Sequence, residues 1–286
     1  MLIRLFRFLS IFPLPVLHNL GNLLGYFVYA VSASYRRRLR LNITAAGFHD
    51  QLGSAIREAG KNIMELPFVW CASDERLMRN VKVENWEVVQ NALELGKGLI
   101  FLTPHLGCFE LVGQAVAART SITCLYRPPH KSALKPLLEG ARTLKGIKLA
   151  PANLAGVRIL AKALKRGETI GLLPDQVPQQ GEGVWANFFG KPAYTMTLSA
   201  KLQNMSGAPI VLAFAERLAF GAGFVVHFTE FNQALIGTPS QQASLINQAM
   251  EQLIASQAAQ YFWSYNRYKI PDGVAAPQST PDQDVQ

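Results

Sequence analysis

Between Met1 and His49 the chain has no aspartate and no glutamate, although Arg4, Arg7, Arg36, Arg37, Arg38 and Arg40 all fall there. Charge of one sign over so long a stretch calls for an anionic partner, and a phospholipid surface, a nucleic-acid backbone or an acidic protein would each satisfy it. Cysteine is scarce as well. Cys71, Cys108 and Cys124 are an odd number and lack the spacing of a zinc site, which excludes a disulfide framework and a structural zinc and fits a reducing compartment. Internal repeats and low-complexity breaks are missing before the last residues, so repeat arrays are excluded and one catalytic domain is indicated.

What is present leans toward lipid. Across 286 residues, 49% are hydrophobic and only 16% charged, with a net charge of +9, a composition sparse in charge for a soluble protein. From Leu14 to Ala33 the only polar residues are His18, Asn19, Asn22 and Ser32, and the run leads into Arg36-Arg37-Arg38. It approaches the ~20 residues that a bilayer span requires. Pro13, Pro15 and the polar residues near its start make it equally suited to lie in the interface. A cleaved signal peptide fits poorly, because no small-residue cleavage site follows the apolar run. Residues 1–40 therefore read as an uncleaved anchor with its arginines on the cytoplasmic side, 41–270 as the catalytic domain, and 271–286, rich in Pro, Gln, Ser and Asp, as a disordered tail.

Within the domain, helical periodicity covers Gln51 to Trp70 and Asn85 to Leu95. Short apolar runs then alternate with helical stretches: Gly98 to Thr103, Ile122 to Tyr126, Ile147 to Leu149 and Thr169 to Leu173, separated by helices ending at Arg119, Lys145 and Lys165. Pro209 to Ala215 and Phe224 to Thr229 read as two more strands, and Gln241 to Gln260 as a last helix. Buried strands alternating with helices predict an α/β fold with a largely parallel central sheet flanked by helices.

The segment with most chemistry is Thr103-Pro-His-Leu-Gly-Cys-Phe-Glu110, set where an apolar strand ends and a helix begins. The crevice beyond the carboxyl ends of parallel strands is where such sheets bind ligands. Residues five apart on a regular helix diverge by about 140°, so His105 must lie in the turn before the helix, with Glu110 reaching back from it. A carboxylate bonded to one imidazole nitrogen fixes the tautomer and leaves the other to take a proton from an alcohol. The bland counterpart is a capping histidine beside an exposed helix glutamate.

Further motifs weigh against that counterpart. The run His105-x4-Glu110 resembles the H-x4-D/E signature of glycerolipid-type acyltransferases, in the form found in the late acyltransferases of lipid A biosynthesis, the lauroyl and myristoyl transferases. Tyr126-Arg127-Pro128, Gly140-Ala-Arg142, Leu173-Pro-Asp175-Gln176, Phe188 to Pro192 and Tyr261 to Lys269 follow in that family's order. The resemblance implies acyl transfer from acyl carrier protein to a hydroxyl on an acyl chain of a Kdo-bearing lipid A precursor. It places the enzyme at the cytoplasmic face of the inner membrane of a Gram-negative bacterium, with no cofactor beyond the carrier thioester. It makes His105 the base, Glu110 its orienter, and Arg142 and Asp175 further catalytic positions, with Arg127, Gly107 and Gln176 contacting substrate. Cys108 departs from the small or polar residues common at that position.

Rival readings stay open at this stage. His105 could activate Cys108 as an acyl-enzyme nucleophile, and His105, Glu110, His130 and Asp175 could in principle bind a metal, though without a recognised spacing. The basic run Arg119, Arg127, Lys131, Lys135, Arg142, Lys145 and Lys148, opposed only by Glu139, reads as a solvated face or as a surface for an acidic carrier or lipid phosphates. The aromatics Tyr261, Trp263, Tyr265 and Tyr268 read as a core strand and its edge, since no motif of a nucleic-acid-binding protein accompanies them. Two other functions remain: an acyltransferase for a glycerolipid, glycolipid or lipopeptide, and a non-catalytic protein that binds lipid or acyl carrier.

Overall fold

The computed structural model describes residues 2–127 and 135–277. Its centre is a seven-stranded sheet in the order β1-β9-β8-β2-β5-β3-β4. The strands are β1 (Val81–Glu84), β2 (Leu99–Leu102), β3 (Ile122–Tyr126), β4 (Ile147–Pro151), β5 (Thr169–Leu172), β8 (Ile210–Arg217) and β9 (Phe224–Glu230). Every pairing is parallel except that of β8 with β9. A separate antiparallel hairpin is formed by β6 (Gly183–Phe188) and β7 (Lys191–Met196). The mixed α/β architecture with a mostly parallel sheet is the one the alternating pattern predicts.

The local reasons are plain in the sequence. All four residues of β2 and of β5 are buried, as expected of short apolar runs covered on both faces. Between them run α8 (Glu110–Ala117), α9 (Lys135–Leu144) and α10 (Leu154–Lys165). Helix α10 starts where the Asn153 side chain accepts the Gly156 amide, and α12 (Pro239–Ser256) starts with a reciprocal Thr238–Gln241 capping box. Helix α7 (Trp86–Glu94) lies within the predicted 85–95 stretch, and α11 (Leu198–Ser206) precedes β8.

Four expectations need revision. The predicted helix from Gln51 to Trp70 is two helices, α4 (Leu52–Met64) and α5 (Leu66–Cys71), divided at Glu65 beside Pro67; α6 (Asp74–Met78) follows. Strand β1 and the β6–β7 hairpin are additions. The aromatic segment from Tyr261 makes no strand: Tyr261 forms one bridge to Leu106 and the chain then turns. Of the predicted tail, residues 271–277 run along the hairpin, where Gln180 and Trp185 donate to the carbonyls of Gly273 and Ala275; residues 278–286 lie outside the described residues.

The N-terminal segment forms α1 (Leu2–Leu9), α2 (Leu14–Val31) and α3 (Ala33–Ala45). No described helix is long and apolar enough to cross a membrane. Helix α2 buries one face against α4 at backbone distance: a Cβ added to Gly25 would stand 2.1 Å from the Ile56 carbonyl oxygen, and one on Gly60 would stand 1.9 Å from that of Gly21. At that crossing the buried salt bridge of Glu65 with Arg217, at the end of β8, is joined by His18 from α2. Burial pushes the Glu65 carboxyl up, but Arg217 and His18 overcome this and hold it at about 2.

Candidate active site

Strands β2 and β5 are neighbours with Leu102 opposite Leu172. Three residues beyond each of these, His105 and Asp175 therefore meet. The His105 backbone N–H donates to Asp175 Oδ2 at 2.9 Å, and the ring Nδ1 lies 2.8 Å from Oδ1. A carboxylate only accepts, so Nδ1 carries the proton and Nε2 keeps its lone pair. The side-chain amide of Gln176 donates to that Nε2 at 3.1 Å. Asp175 is fully buried; burial raises its carboxyl, yet the adjoining His105, through its electrostatics and its two hydrogen bonds, and nearby Arg267 leave it below the ordinary carboxylate value. It is held as an anion.

This partner differs from the one the spacing suggests. Glu110 is the first residue of α8 and is buried, and its carboxylate makes its hydrogen bonds to residues other than His105. It accepts from Arg142 Nε at 3.1 Å and Nη2 at 2.5 Å, a bidentate fork, and from Trp70 Nε1 at 3.3 Å. Burial lowers Arg142, and the Glu110 carboxylate more than offsets it, so the guanidinium is firmly charged. Trp70 was not legible from the sequence as part of the site, since nothing near it in the chain marks a catalytic role.

Gly107 serves the turn itself. Its φ of +57° suits glycine, and a Cβ there would stand 1.9 Å from the Ala215 carbonyl oxygen. Its N–H donates to the Gln260 carbonyl and its C=O accepts from Asn62, at 3.1 and 2.8 Å. Both backbone groups of Gly107 are hydrogen-bonded inside the protein, which ties the turn that carries His105 to Gln260 and Asn62. Next to it, Cys108 is 2% exposed. Burial, then the Glu65 carboxylate, pushes its thiol well above the usual value, so it lacks the thiolate that an acyl-enzyme would need.

His105, Gln176, Arg127, Arg142 and Tyr126 line a cavity of about 200 Å³ at the carboxyl edge of the sheet. An adjoining groove of about 280 Å³ shares Leu125, Arg127 and Met196 with it and continues along Leu154, Val157 and Leu198. The basic run that borders the cavity is mostly paired. Lys145 bonds Asp74, Lys148 lies 3.4 Å from Glu168 and Lys135 lies 3.9 Å from Glu139, while His130 and Lys131 are outside the described residues. Among the described residues, the cations that line the cavity are Arg127 and Arg142, the second of them paired with Glu110. Among the described residues no three His, Cys, Asp or Glu side chains are grouped to hold a metal.

A histidine whose unprotonated Nε2 accepts from the Gln176 amide, held by an anion at the mouth of a cavity with two arginines and an apolar extension, suits deprotonation of a hydroxyl beside a long-chain acyl group once that hydroxyl takes the amide's place. Comparison with known proteins agrees. The family model described as "Bacterial lipid A biosynthesis acyltransferase" matches residues 1–270. The Lipid A biosynthesis palmitoleoyltransferase of Escherichia coli (strain K12) is 24% identical over 267 residues, covering 90% of this chain and 86% of that protein. A Lipid A biosynthesis acyltransferase of Haemophilus influenzae is 25% identical over 287 residues, covering 94% and 90% respectively. The chain is thus an acyltransferase enzyme and belongs to the bacterial lipid A biosynthesis acyltransferase family.

Proposed function

We propose that the enzyme transfers a lauroyl- or myristoyl-type chain from acyl carrier protein to a hydroxyl on an acyl chain of a Kdo-bearing lipid A precursor, at the cytoplasmic face of the inner membrane. The observation that carries the chemistry is the Asp175–His105 pair, which leaves Nε2 able to accept a proton inside the cavity. In the proposed step Nε2 removes the acceptor hydroxyl proton as its oxygen attacks the thioester carbon. The negative charge on the tetrahedral intermediate is met by Arg142, whose orientation Glu110 fixes, and by Arg127. The carbon–sulfur bond then breaks, the departing thiolate takes the proton from His105, and the ester remains. Arg127, at the end of β3, suits a phosphate of the acceptor or of the carrier's prosthetic group. The apolar groove beyond Leu125 and Met196 suits an acyl chain.

The test compares acyl transfer from acyl carrier protein to three acceptors: a phosphorylated, Kdo-bearing precursor, its dephosphorylated form and a diacylglycerol. The proposal expects the first to be much the fastest. Equal rates on all three would remove the electrostatic part, a preference for diacylglycerol would move the enzyme to glycerolipids, and absence of any turnover would leave a lipid- or carrier-binding protein.

A further inference from the structure

Helix α2 is apolar along its 18 residues except for His18, Asn19, Asn22 and two tyrosines, and those first three take no part in the chemistry at His105. All three line one cavity. With Pro15 they recur at a spacing of three or four residues, one face of a helix, and Ser54, Arg57, Glu58 and Lys61 repeat that spacing on α4 across from them. The space between is about 560 Å³, larger than either cavity beside His105 and within the ~300–1,000 Å³ of small-molecule sites.

The protein leaves several of its polar groups unsatisfied. His18 is buried, with Nε2 3.3 Å from the Glu65 carboxylate. In the neutral ring Nε2 therefore carries the proton, and the buried Nδ1 is an acceptor with no partner among the described residues. One turn further along α2, the buried Oδ1 of Asn22 lacks a partner as well. An unpaired buried acceptor is costly, so both call for a donor from something in the cavity.

Water alone would meet those two atoms; the rest of the lining asks for more. Its carboxylates are committed, Glu58 to Lys61 and Arg217, and Glu216 to His227 and Gln257. Arg57 donates to the hydroxyls of Tyr26 and Ser54, at 3.1 and 3.0 Å, and its charge meets no carboxylate among the described residues. At the rim stands Phe220, 95% exposed on a left-handed turn with φ +57°, offering an apolar ring face. Acceptors waiting for hydroxyls, an unneutralised guanidinium and an open aromatic face match a sugar acid, whose hydroxyls donate, whose carboxylate takes the guanidinium fork and whose ring packs on an aromatic.

The cavity also flanks the catalytic turn. Strand β8 runs parallel to β2 and ends at Arg217, so Glu216 and Arg217 bring the cavity to the same edge of the sheet as His105. In the strand order β2 stands between β8 and β5; the catalytic cavity lies over the ends of β5 and β3, and this one over the end of β8. Gln260 lines it, and the Gln260 carbonyl accepts the Gly107 N–H in the turn that carries His105.

We propose that this cavity is the subsite for a carboxylated sugar of the acceptor, with hydroxyls donating to His18 Nδ1 and Asn22 Oδ1, the carboxylate on Arg57 and the sugar ring against Phe220. The proposal rests on the acceptor of the proposed function, in which that sugar acid is Kdo. His105 then lies between the acceptor's sugar on one side and the thioester on the other.

Two measurements on the full chain in detergent micelles test it. In the first, the ratio of kcat/KM for the Kdo-bearing precursor to that for the precursor without Kdo should fall about tenfold in Arg57→Gln, the loss of one charge-assisted contact, and several-fold in Phe220→Ser. General damage to the fold would lower both rates and leave the ratio unchanged. In the second, saturation-transfer NMR with free Kdo should show transfer to the sugar from the wild type, loss of it in Arg57→Gln, and no competition from inorganic phosphate. An unchanged ratio in Arg57→Gln overturns the proposal, as does the absence of transfer from the wild type or displacement of the sugar by phosphate. A protein that binds free Kdo through Arg57 and transfers no acyl group would fail the proposed function and leave the sugar site standing.

Discussion

The imidazole of His105 is held by the carboxylate of Asp175, 70 residues further along the chain, through both the ring Nδ1 and the backbone N–H. Two bonds from one carboxylate fix the position and the tautomer of the ring together. Glu110 is thereby released for a different duty, gripping Arg142. Carboxylate and guanidinium should then behave as one unit. Glu110→Ala and Arg142→Lys should each lower turnover by at least ~100-fold, since lysine keeps the charge and loses the fork. Combined, they should cost little more than the worse single change. Steady-state kinetics of the two variants and their combination would check this; fully additive losses would separate the two residues.

Cys108→Ala should retain most of the activity. The thiol is buried between α8 and the Glu65–Arg217 pair and is kept protonated. Retained turnover, with a circular dichroism spectrum like that of the wild type, is the expected result; complete loss in a folded variant would restore the acyl-enzyme route.

Trp70→Phe tests the third contact of Glu110. The ring of Trp70 stacks on Phe6 of α1 with centroids 5.8 Å apart, while its N–H reaches Glu110. Losing one charge-assisted hydrogen bond, worth about 1.5–3 kcal/mol, while Arg142 still holds Glu110 should lower kcat several-fold and leave KM nearly unchanged. An unaltered kcat would reduce Trp70 to a packing residue.

The Glu65–Arg217 pair predicts a pH dependence of stability. Glu65 is held at about 2 when folded against an ordinary 4.5, so the unfolded chain binds more protons between these values. Its contribution is complete above about 4.5 and is lost as the pH falls toward about 2. Glu65→Gln should flatten this part of a melting-temperature profile. Glu65→Ala, which leaves the buried Arg217 with Glu58 alone, 2.7 Å away, should cost about 3 kcal/mol in denaturant unfolding, the low end for breaking a buried pair.

Periodicity made the parallel strands legible because β2, β3, β4 and β5 are short apolar runs between helices, and their ends located the crevice. The catalytic turn was legible for the same reason: His105 follows a strand of four buried residues. Its partner was not, because sequence spacing measures distance along the chain, and only the pairing of Leu102 with Leu172 brings Asp175 level with His105. Trp70 and Gly107 were obscured likewise, their roles arising from contacts with Glu110 and Ala215 made by folding. The N-terminal segment presented a different difficulty. Composition from Leu14 to Ala33 suits a span and an interfacial helix alike, and it does not reveal that α2 packs its glycine face on α4. Strand β1 was hidden because its four residues, Val-Lys-Val-Glu, alternate at an edge and are too few to stand out.

The most direct test of the account is the rate of acyl transfer from acyl carrier protein to the phosphorylated, Kdo-bearing precursor by Asp175→Asn beside His105→Ala. An amide can present its N–H to Nδ1 and favour the wrong tautomer, so both variants should fall by at least ~100-fold while remaining folded and bound to vesicles. Wild-type turnover by folded Asp175→Asn would contradict the Asp175–His105 pairing, and wild-type turnover by His105→Ala would contradict the mechanism as a whole.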